Sequence, residues 1–217
     1  AGWGLVHDFG GEKIISIAIP PRHPEHLYVS HKFSGSSWRI HHSADGGATW
    51  TNVSLNTIEN GGNSNKPIYL EVDEVNPLRV WAVLVGGQTG NKVFESTDGG
   101  ETWTDRTTAT IASERVVSIA HQRGVPGALY IGTTRTVYYI DDSLSDWQLY
   151  ADDLPASTAA VFLQPNYCSG TIRAAGNRSV HEAAFHTPSA VQAGFMADRL
   201  QVNLASPCDL EPVRFAD

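Results

Sequence analysis

Two nearly identical eight-residue segments constrain the fold of this chain more than any other feature. The first is Ser-Ala-Asp-Gly-Gly-Ala-Thr-Trp at 43–50, and the second is Ser-Thr-Asp-Gly-Gly-Glu-Thr-Trp at 96–103. They lie 53 residues apart, and each follows a short run of apolar and polar residues in alternation. Self-similarity at such a period is typical of repeat proteins in which each repeat is one supersecondary unit. The chain is therefore predicted to be a series of similar units.

A second pattern recurs in the same register. Three prolines each precede an aromatic residue by four positions; the pairs are Pro24 and Tyr28, Pro77 and Trp81, and Pro126 and Tyr130. Each pair separates two β-rich runs, so one repeat consists of strand, Pro turn, strand, loop, strand, Asp turn and strand. Four short antiparallel strands per repeat predict an all-β fold in which each repeat is one blade of a β-propeller.

Further copies of the repeat are degenerate. Asp142 and Trp147 keep the five-residue gap of the two intact segments without their glycines, and residues 134–138 match residues 177–181. Trp3 marks the end of a preceding repeat. We expect an orphan outer strand at 1–10, repeats at about 12–56, 66–108, 115–151 and 159–186, and a C-terminal tail or the start of a following domain at 187–217.

This count gives about 3.5–4 blades, whereas closed propellers have roughly 4–8. An open end would expose an apolar blade face and a strand edge. We therefore expect the chain to be part of a larger ring, completed by upstream sequence or by another chain. A small self-closed or domain-swapped propeller remains the alternative.

The Asp turns are predicted to be structural. The Asp carboxylate can accept hydrogen bonds from N–H groups of its own turn. Glycine permits a positive φ, and the Trp ring can be buried between neighbouring sheets with its indole N–H bonded. The residues given this role are Ser43, Asp45, Gly47, Trp50, Ser96, Asp98, Gly100, Trp103, Asp142 and Trp147.

The two intact segments resemble the Asp boxes, or BNR repeats, of sialidases, sortilin-type receptors and xyloglucan hydrolases. Around 17–29 and 70–82 the chain is more similar to the sortilin and xyloglucanase branch than to sialidases. The resemblance implies a sialidase-like propeller superfold in which the boxes lie on the face away from the ligand site. It implies an architecture, and it does not imply a particular chemistry.

A ligand site is expected on the face formed by the other two sets of loops, which include the long polar loop 56–66. Arg135 and Arg178 occupy equivalent places there. Two neighbouring guanidinium groups could bind a carboxylate of an acidic sugar. Alternatively, each arginine bonds a loop carbonyl or a neighbouring blade.

No catalytic residues can be assigned from the sequence. Glycosidases need two carboxylates at a set separation, and no spacing pairs any two of the loop acids Asp73, Glu74, Asp105, Glu114, Asp152 and Asp153. His181 and His186 have a His-x4-His spacing in a strand, which does not fit a zinc-protease helix. We expect no metal and no cofactor, and whether the protein is an enzyme stays open.

Charge and composition exclude several partners. The formal net charge of -8 disfavours nucleic acid and anionic lipid, and no apolar run reaches the roughly 18 residues of a membrane helix.

Cys168 and Cys208 could form one disulfide in an exported protein, or be two unrelated thiols. The sequence favours a non-catalytic, secreted or cell-surface module, the C-terminal part of a larger protein, that binds glycan or protein. The alternatives are a portion of a glycoside hydrolase with its catalytic acids largely elsewhere, and a structural subunit that completes a propeller with another chain.

Overall fold

Four antiparallel sheets follow one another along the chain in a computed structural model of the protein. The structure describes residues 2–10, 13–33, 37–54, 66–86, 90–150, 154–155, 162–176 and 179–188. Blade 1 contains β1 (Ile14–Ala18), β2 (Leu27–Phe33), β3 (Ser37–Ser43) and β4 (Thr51–Asn52). Blade 2 contains β5 (Ile68–Val72), β6 (Val80–Leu84), β7 (Val93–Ser96) and β8 (Thr104–Asp105).

The third and fourth sheets repeat this order. Blade 3 contains β9 (Val116–His121), β10 (Leu129–Thr133), β11 (Val137–Ile140) and β12 (Gln148–Leu149), and a four-residue helix α1 (Ala109–Ala112) precedes it. Blade 4 contains β13 (Phe162–Asn166), β14 (Thr171–Ala175) and β15 (Val180–Ala184), so three strands of it lie among the described residues. Each strand pairs with the next along the chain.

The first strand of each blade lies innermost. β1 contacts β5, β5 contacts β9, and β9 contacts β13. The two-residue fourth strands lie at the opposite edge of their sheets, because the strand order within each sheet follows the sequence. This arrangement is the predicted partial β-propeller of about four blades, with one axis running past the first strands.

Apolar side chains pack between consecutive blades because alternate residues of each strand point to opposite faces of the sheet. Leu70, Ala82 and Phe94 form a cross-strand row that is buried against blade 1. Val83 and Val93 point the other way and are buried against blade 3. The same division explains why every residue of β6 is buried.

The two end blades have open faces. On blade 1, Ile17 occupies the place that Leu70 has on blade 2, and it is 57% exposed against 4% for Leu70. On blade 4, Phe162 and Val180 are 69% and 67% exposed. Among the described residues, therefore, no neighbouring blade covers either open face as its equivalent is covered elsewhere in the molecule.

The remaining expectations concern the ends of the chain. No strand is assigned to residues 2–10, and of the predicted tail 187–217 only 187–188 belong to the described residues. Cys168, in the turn between β13 and β14, is disulfide-bonded; the sequence has one other cysteine, Cys208, which lies outside the described ranges. In the part of the chain that is described, no helix has the length and apolar character needed to cross a bilayer.

Candidate functional site: the Asp turns and the axial pocket

Each intact Asp turn is held together by its own side chains. Asp45 Oδ1 accepts hydrogen bonds from Ser43 Oγ and Thr49 N, both at 2.8 Å, and Oδ2 accepts one from Thr49 Oγ1 at 2.6 Å. The second turn has the same bonds, with Asp98 accepting from Ser96 and Thr102 at 2.5–2.9 Å. Because all these partners lie within four residues, the turn is specified locally.

These bonds stabilise the ionised carboxylates. Donation from Thr49 and Ser43 lowers the pKa of Asp45 to about 2. Partial burial by itself would raise the pKa of Asp98, but donation from Thr102 and Ser96 outweighs it and holds that pKa at about 2. A carboxylate that is hydrogen-bonded within its own turn and has a pKa of about 2 is unsuited to proton transfer near neutral pH.

The tryptophan of a turn connects two blades. Trp103 Nε1 donates to Val53 O at 2.8 Å, and Trp147 Nε1 donates to Arg106 O at 2.9 Å. Both acceptors belong to the blade before the tryptophan. Trp50 belongs to the first of the described blades, and its Nε1 donates to Gly47 O in its own turn at 2.9 Å.

The third turn differs from the prediction that Asp142 is equivalent to Asp45 and Asp98. Asp142 leaves its own turn and accepts two bonds from the guanidinium of Arg79 in blade 2, at 2.8 and 2.5 Å. Asp141, one residue earlier, accepts a bond from Ser143 N at 2.8 Å instead. The third turn therefore uses Asp141 for its local bond, and Asp142 joins two blades.

Arg135 lies in the turn between β10 and β11 and is exposed, and its main-chain N–H donates to Thr133 Oγ1 at 3.1 Å. Arg178 lies outside the described residues, as does most of loop 56–66. The proposed pairing of the two arginines on a ligand therefore stays a prediction.

A polar pocket of about 220 Å3 lies where the first strands of all four blades end. We call it the axial pocket. The residues that line it are Ile17, Ala18, Ile19, Pro21, Leu70, Glu71, Val72, Glu74, His121, Arg123 and Tyr167. These strand ends adjoin the Pro turns, so the pocket lies on the face that carries the Asp turns and not on the opposite face, where the sequence predicted a site.

Two ionisable groups in the axial pocket have altered proton affinities. Burial raises the pKa of Glu71 to about 7, although the charge of Arg123 opposes the rise. Burial also lowers the pKa of His121 to about 4, with the nearby Asp73 carboxylate opposing the change. At neutral pH the histidine is uncharged, and Glu71 is present in both protonation states.

His121, one of the residues that line the pocket, has a buried ring nitrogen without a hydrogen-bond partner. Its side chain is buried and its ring stacks on Trp81 with centroids 5.1 Å apart. Nε2 has no hydrogen-bond partner, since the nearest carboxylate oxygen, of Asp73, is 3.7 Å away. A buried polar atom without a hydrogen-bond partner is rare in folded proteins.

Two neighbouring side chains fix the position of Arg123 in the axial pocket. Arg123 lies over the ring of Tyr167 at 4.1 Å and 3.7 Å from the Glu74 carboxylate. Tyr167 is fixed in turn, because its hydroxyl donates to His121 O at 2.7 Å. The axial pocket therefore combines an aromatic ring, a neutral imidazole, a carboxyl group and a paired guanidinium. Among the described residues, no three His, Cys, Asp or Glu side chains come together as a metal site.

Sequence reasoning did not find this pocket. Glu71 and His121 lie in strands β5 and β9 as ordinary members of an alternating pattern. Their proximity depends on the packing of different blades, which has no local signature. The sequence feature that could have indicated the pocket was Glu71, an acidic residue inside the otherwise apolar inner strand β5.

Comparisons with known proteins agree with this architecture. A xyloglucanase of Hypocrea jecorina (strain QM6a) is 32% identical over 108 residues, which are 48% of this chain and 12% of the xyloglucanase. The chain thus spans a small part of that relative. No protein-family model matches the chain.

Solved structures resemble the chain in fold. The GH74 enzyme of Niastella koreensis superposes with a TM-score of 0.55 at 22% identity, over 81% of this chain and 27% of the enzyme. YCF48 bound to a D1 peptide superposes with a TM-score of 0.56 at 19% identity, over 80% of this chain and 51% of YCF48. At such identities the likeness concerns the fold alone, and it shows that the chain is a section of a β-propeller.

Proposed function

We propose that this chain is a non-catalytic propeller module of a secreted or cell-surface protein, and that its axial pocket binds a neutral, hydroxyl-rich group of a glycan. The observation that carries the proposal is the lining of the axial pocket, which brings Glu71, His121 and Tyr167 together.

The charge state of the pocket favours a neutral ligand. The guanidinium of Arg123 already faces the Glu74 carboxylate, and burial keeps His121 uncharged by lowering its pKa to about 4. Glu71 can donate when protonated and accept when ionised. Sugar hydroxyls both donate and accept hydrogen bonds, and a sugar face packs on an aromatic ring, so these groups suit a glycan better than an acidic ligand.

The comparisons support a carbohydrate ligand. The curated relative is a xyloglucanase, and the two intact Asp turns resemble the Asp boxes of glycan-active propellers. A protein ligand is the other class that this fold accommodates, as in YCF48 bound to a D1 peptide. The axial pocket, at about 220 Å3, is smaller than typical sites for drug-sized ligands and suits one sugar ring or one side chain.

A second candidate function is favoured by one observation. A carboxyl group with a pKa raised by burial can act as a general acid at neutral pH, and Glu71 has that property. In this alternative the chain is a section of a glycoside hydrolase, Glu71 protonates the leaving group, and the second carboxylate belongs to sequence outside this chain.

Binding to immobilised polysaccharides tests the proposal. We expect the protein to bind the neutral polymer xyloglucan and not the acidic polymer polygalacturonate. Tyr167→Ala should weaken binding by at least about fivefold, because stacking on aromatic rings contributes roughly 1 kcal/mol or more. The matched control is Tyr69→Ala, which changes a tyrosine that is not among the residues lining the pocket. Absence of binding to neutral glycans, or equal loss in both variants, would contradict the proposal.

A protein that carries this chain together with any sequence that adjoins it in its gene distinguishes the two candidates, because the alternative places the second carboxylate outside the chain. Reducing ends released from xyloglucan by the wild type and not by Glu71→Gln would identify a hydrolase. Binding that Glu71→Gln retains, with no release of reducing ends by either protein, supports the non-catalytic module, because the glutamine amide preserves both donor and acceptor.

A further inference from the structure

Blade 1 contains two pairs of histidines whose rings bond each other. His31 Nε2 and His41 Nδ1 are 2.9 Å apart, and His26 Nδ1 and His42 Nε2 are also 2.9 Å apart. His41 and His42 are consecutive in β3, so their side chains point to opposite faces of the sheet. One histidine pair therefore lies on each face of blade 1.

The pair formed by His31 and His41 lies under residues 2–10. The ring of Phe9 stacks on His31 with centroids 4.7 Å apart, and its centroid is 5.4 Å from that of His41. Phe9 also meets the ring of Trp50 edge-on, with centroids 5.2 Å apart. These ring contacts join the segment to the first face of blade 1.

The pair formed by His26 and His42 lies at the junction with blade 2. The ring of His42 stacks on Tyr28 with centroids 4.3 Å apart, and the Tyr28 hydroxyl donates to Pro77 O of blade 2 at 2.8 Å. A Cβ added to Gly99, in the Asp turn of blade 2, would lie 3.5 Å from the His42 ring. Both histidine pairs thus lie where blade 1 meets a neighbouring part of the molecule.

Blade 2 has an ion pair where blade 1 has His26 and His42. Equivalent residues of the two blades are 53 positions apart, because β2 pairs with β3 in the same register as β6 pairs with β7. The equivalent residues are Arg79 and Glu95, and Arg79 Nε donates to Glu95 Oε1 at 2.7 Å. An arginine and a glutamate attract each other at any pH above about 5, whereas two histidines repel each other once both are protonated.

Blade 2 has two apolar side chains where blade 1 has His31 and His41. They are Leu84 and Phe94, each 1% exposed in the core that blades 1 and 2 share. Neither side chain can gain a proton. At all four positions, therefore, blade 1 has a contact that acid can break, and blade 2 has one that mild acid leaves intact.

Each histidine pair can take up one proton, and it cannot take up two without breaking its bond. His31 Nδ1 donates to Lys32 O at 3.2 Å, so the Nε2 atom of neutral His31 accepts from His41 Nδ1. One added proton reverses the direction of this bond. A second would place two N–H groups against each other. In the same way, one of the facing nitrogens of His26 and His42 must lack a proton.

The surroundings of the first pair oppose the second proton. Burial, followed by the charges of His31, Arg39 and His7, lowers the pKa of His41 to about 4. Since the ordinary value is 6.5, the contribution of His41 to stability is present at neutral pH and is lost as the pH falls from about 6.5 to 4. The other charged residues of the segments packed against this pair are Asp8, Lys13 and Lys32.

The second pair behaves in the same way. Burial, followed by the charge of His26, lowers the pKa of His42 to about 4. The other titratable residues of the segments packed against this pair are His23, Glu25, Tyr28, Asp98 and Glu101. Glu25 and Glu101 are exposed, and Asp98 bonds Ser96 and Thr102 in its own turn. None of these carboxylates is a buried partner for a second proton.

We propose that blade 1 is an acid-sensitive blade. In mild acid, protonation of the two histidine pairs weakens its contact with residues 2–10 on one face and with blade 2 on the other. The blade then opens locally, as segments with few remaining buried contacts do. The inference is independent of the glycan proposal, because none of the four histidines lines the axial pocket.

Amide hydrogen exchange at pH 6.5 and 4.5, corrected for the intrinsic effect of pH on the exchange rate, tests the inference. Protection of the amides in β2 and β3 should fall by at least about tenfold at the lower pH, because each buried histidine changes the opening equilibrium by up to about tenfold per pH unit. Amides of β10 and β11 in blade 3 should lose less. An unchanged protection of β2 and β3, or an equal fall in every blade, overturns the inference.

Variants that carry the residues of blade 2 assign the effect to the histidines. His31→Leu/His41→Phe and His26→Arg/His42→Glu should each reduce the fall in protection of β2 and β3, and their effects should add because the two pairs lie on opposite faces. The matched control His121→Gln removes a buried histidine of blade 3 and should leave the fall in blade 1 unchanged. If the control reduces the fall as much as either double variant, or if both double variants keep it, the histidine pairs are not its cause and the inference is wrong.

Discussion

The indole N–H of Trp103 donates a 2.8 Å hydrogen bond to the carbonyl oxygen of Val53, which lies 50 residues earlier in the preceding blade. Trp103→Ala removes this bond and a side chain that is 8% exposed. We expect the free energy of unfolding to fall by about 3–5 kcal/mol. Trp103→Phe keeps much of the packing, and its additional loss from the missing bond should be about 1 kcal/mol.

Urea-induced unfolding provides the measurement, and Trp50 provides the comparison. Trp50 is only partly buried and bonds its own turn, so Trp50→Ala should destabilise the protein less than Trp103→Ala. Equal effects of the two substitutions would show that the contact with a preceding blade contributes nothing.

The glycines of the Asp turns differ in what surrounds them. Gly100 has φ +97°, and an added Cβ would lie 2.7 Å from Val53 Cβ. Gly46 has φ +72° with open space around it. Gly46→Ala should cost roughly 1–2 kcal/mol through backbone strain, and Gly100→Ala should cost more because Val53 must also move. Thermal unfolding of the two variants measures the difference, and a ranking in the opposite order would contradict the assigned contact between blades.

Asp45 and Asp98 should make the protein sensitive to acid. Each has a folded-state pKa of about 2, below the ordinary value of 3.8. Their contribution to stability is therefore present above about pH 4 and is lost as the pH falls towards 2. In the double variant Asp45→Asn/Asp98→Asn, the melting temperature should fall less steeply between pH 4 and 2 than in the wild type. An unchanged slope would show that these carboxylates are not specifically stabilised.

Glu71 and His121 should affect the pH dependence of stability in opposite directions. The folded pKa of Glu71, about 7, lies above the ordinary 4.5, so its stabilising contribution is lost as the pH rises from about 4.5 to 7. The folded pKa of His121, about 4, lies below the ordinary 6.5, so its contribution is lost as the pH falls from about 6.5 to 4. Each difference of one proton changes the slope by about 1.4 kcal/mol per pH unit.

Chemical unfolding between pH 4.5 and 6.5 separates these two effects. Glu71→Gln should make stability rise more steeply with pH than in the wild type, and His121→Gln should make it rise less steeply. Tyr69→Gln serves as a control because tyrosine does not titrate in this range. Parallel profiles for wild type and both variants would show that neither group is buried as described.

The local parts of this architecture could be predicted from the sequence. The bonds from Ser43 and Thr49 to Asp45 span at most four residues, so the eight-residue segment carries the information for its own turn. Strand alternation and the repeat spacing then indicate the number of blades. Trp103 was recognised as an interblade residue because it recurs at a fixed distance from the aspartate.

Contacts between blades could not be predicted in the same way. Arg79 and Asp142 are 63 residues apart, and nothing in either neighbourhood indicates the other. The axial pocket depends on the ends of four different strands, so Glu71 and His121 acquire their altered pKa values only after the blades have packed. The sequence pattern predicted a site at the other end of the strands, which stays a prediction, and it gave no indication of this pocket.

The bonds from Trp103 and Trp147 to carbonyls of the preceding blade make the molecule modular along its length. Since the junction of blades 1 and 2 and the junction of blades 2 and 3 use the same two groups in the same register, a blade can be duplicated or lost by recombination without redesigning either neighbour. Proteins with different numbers of blades can then arise from one repeat, with the angle between adjacent blades adjusting to the new total.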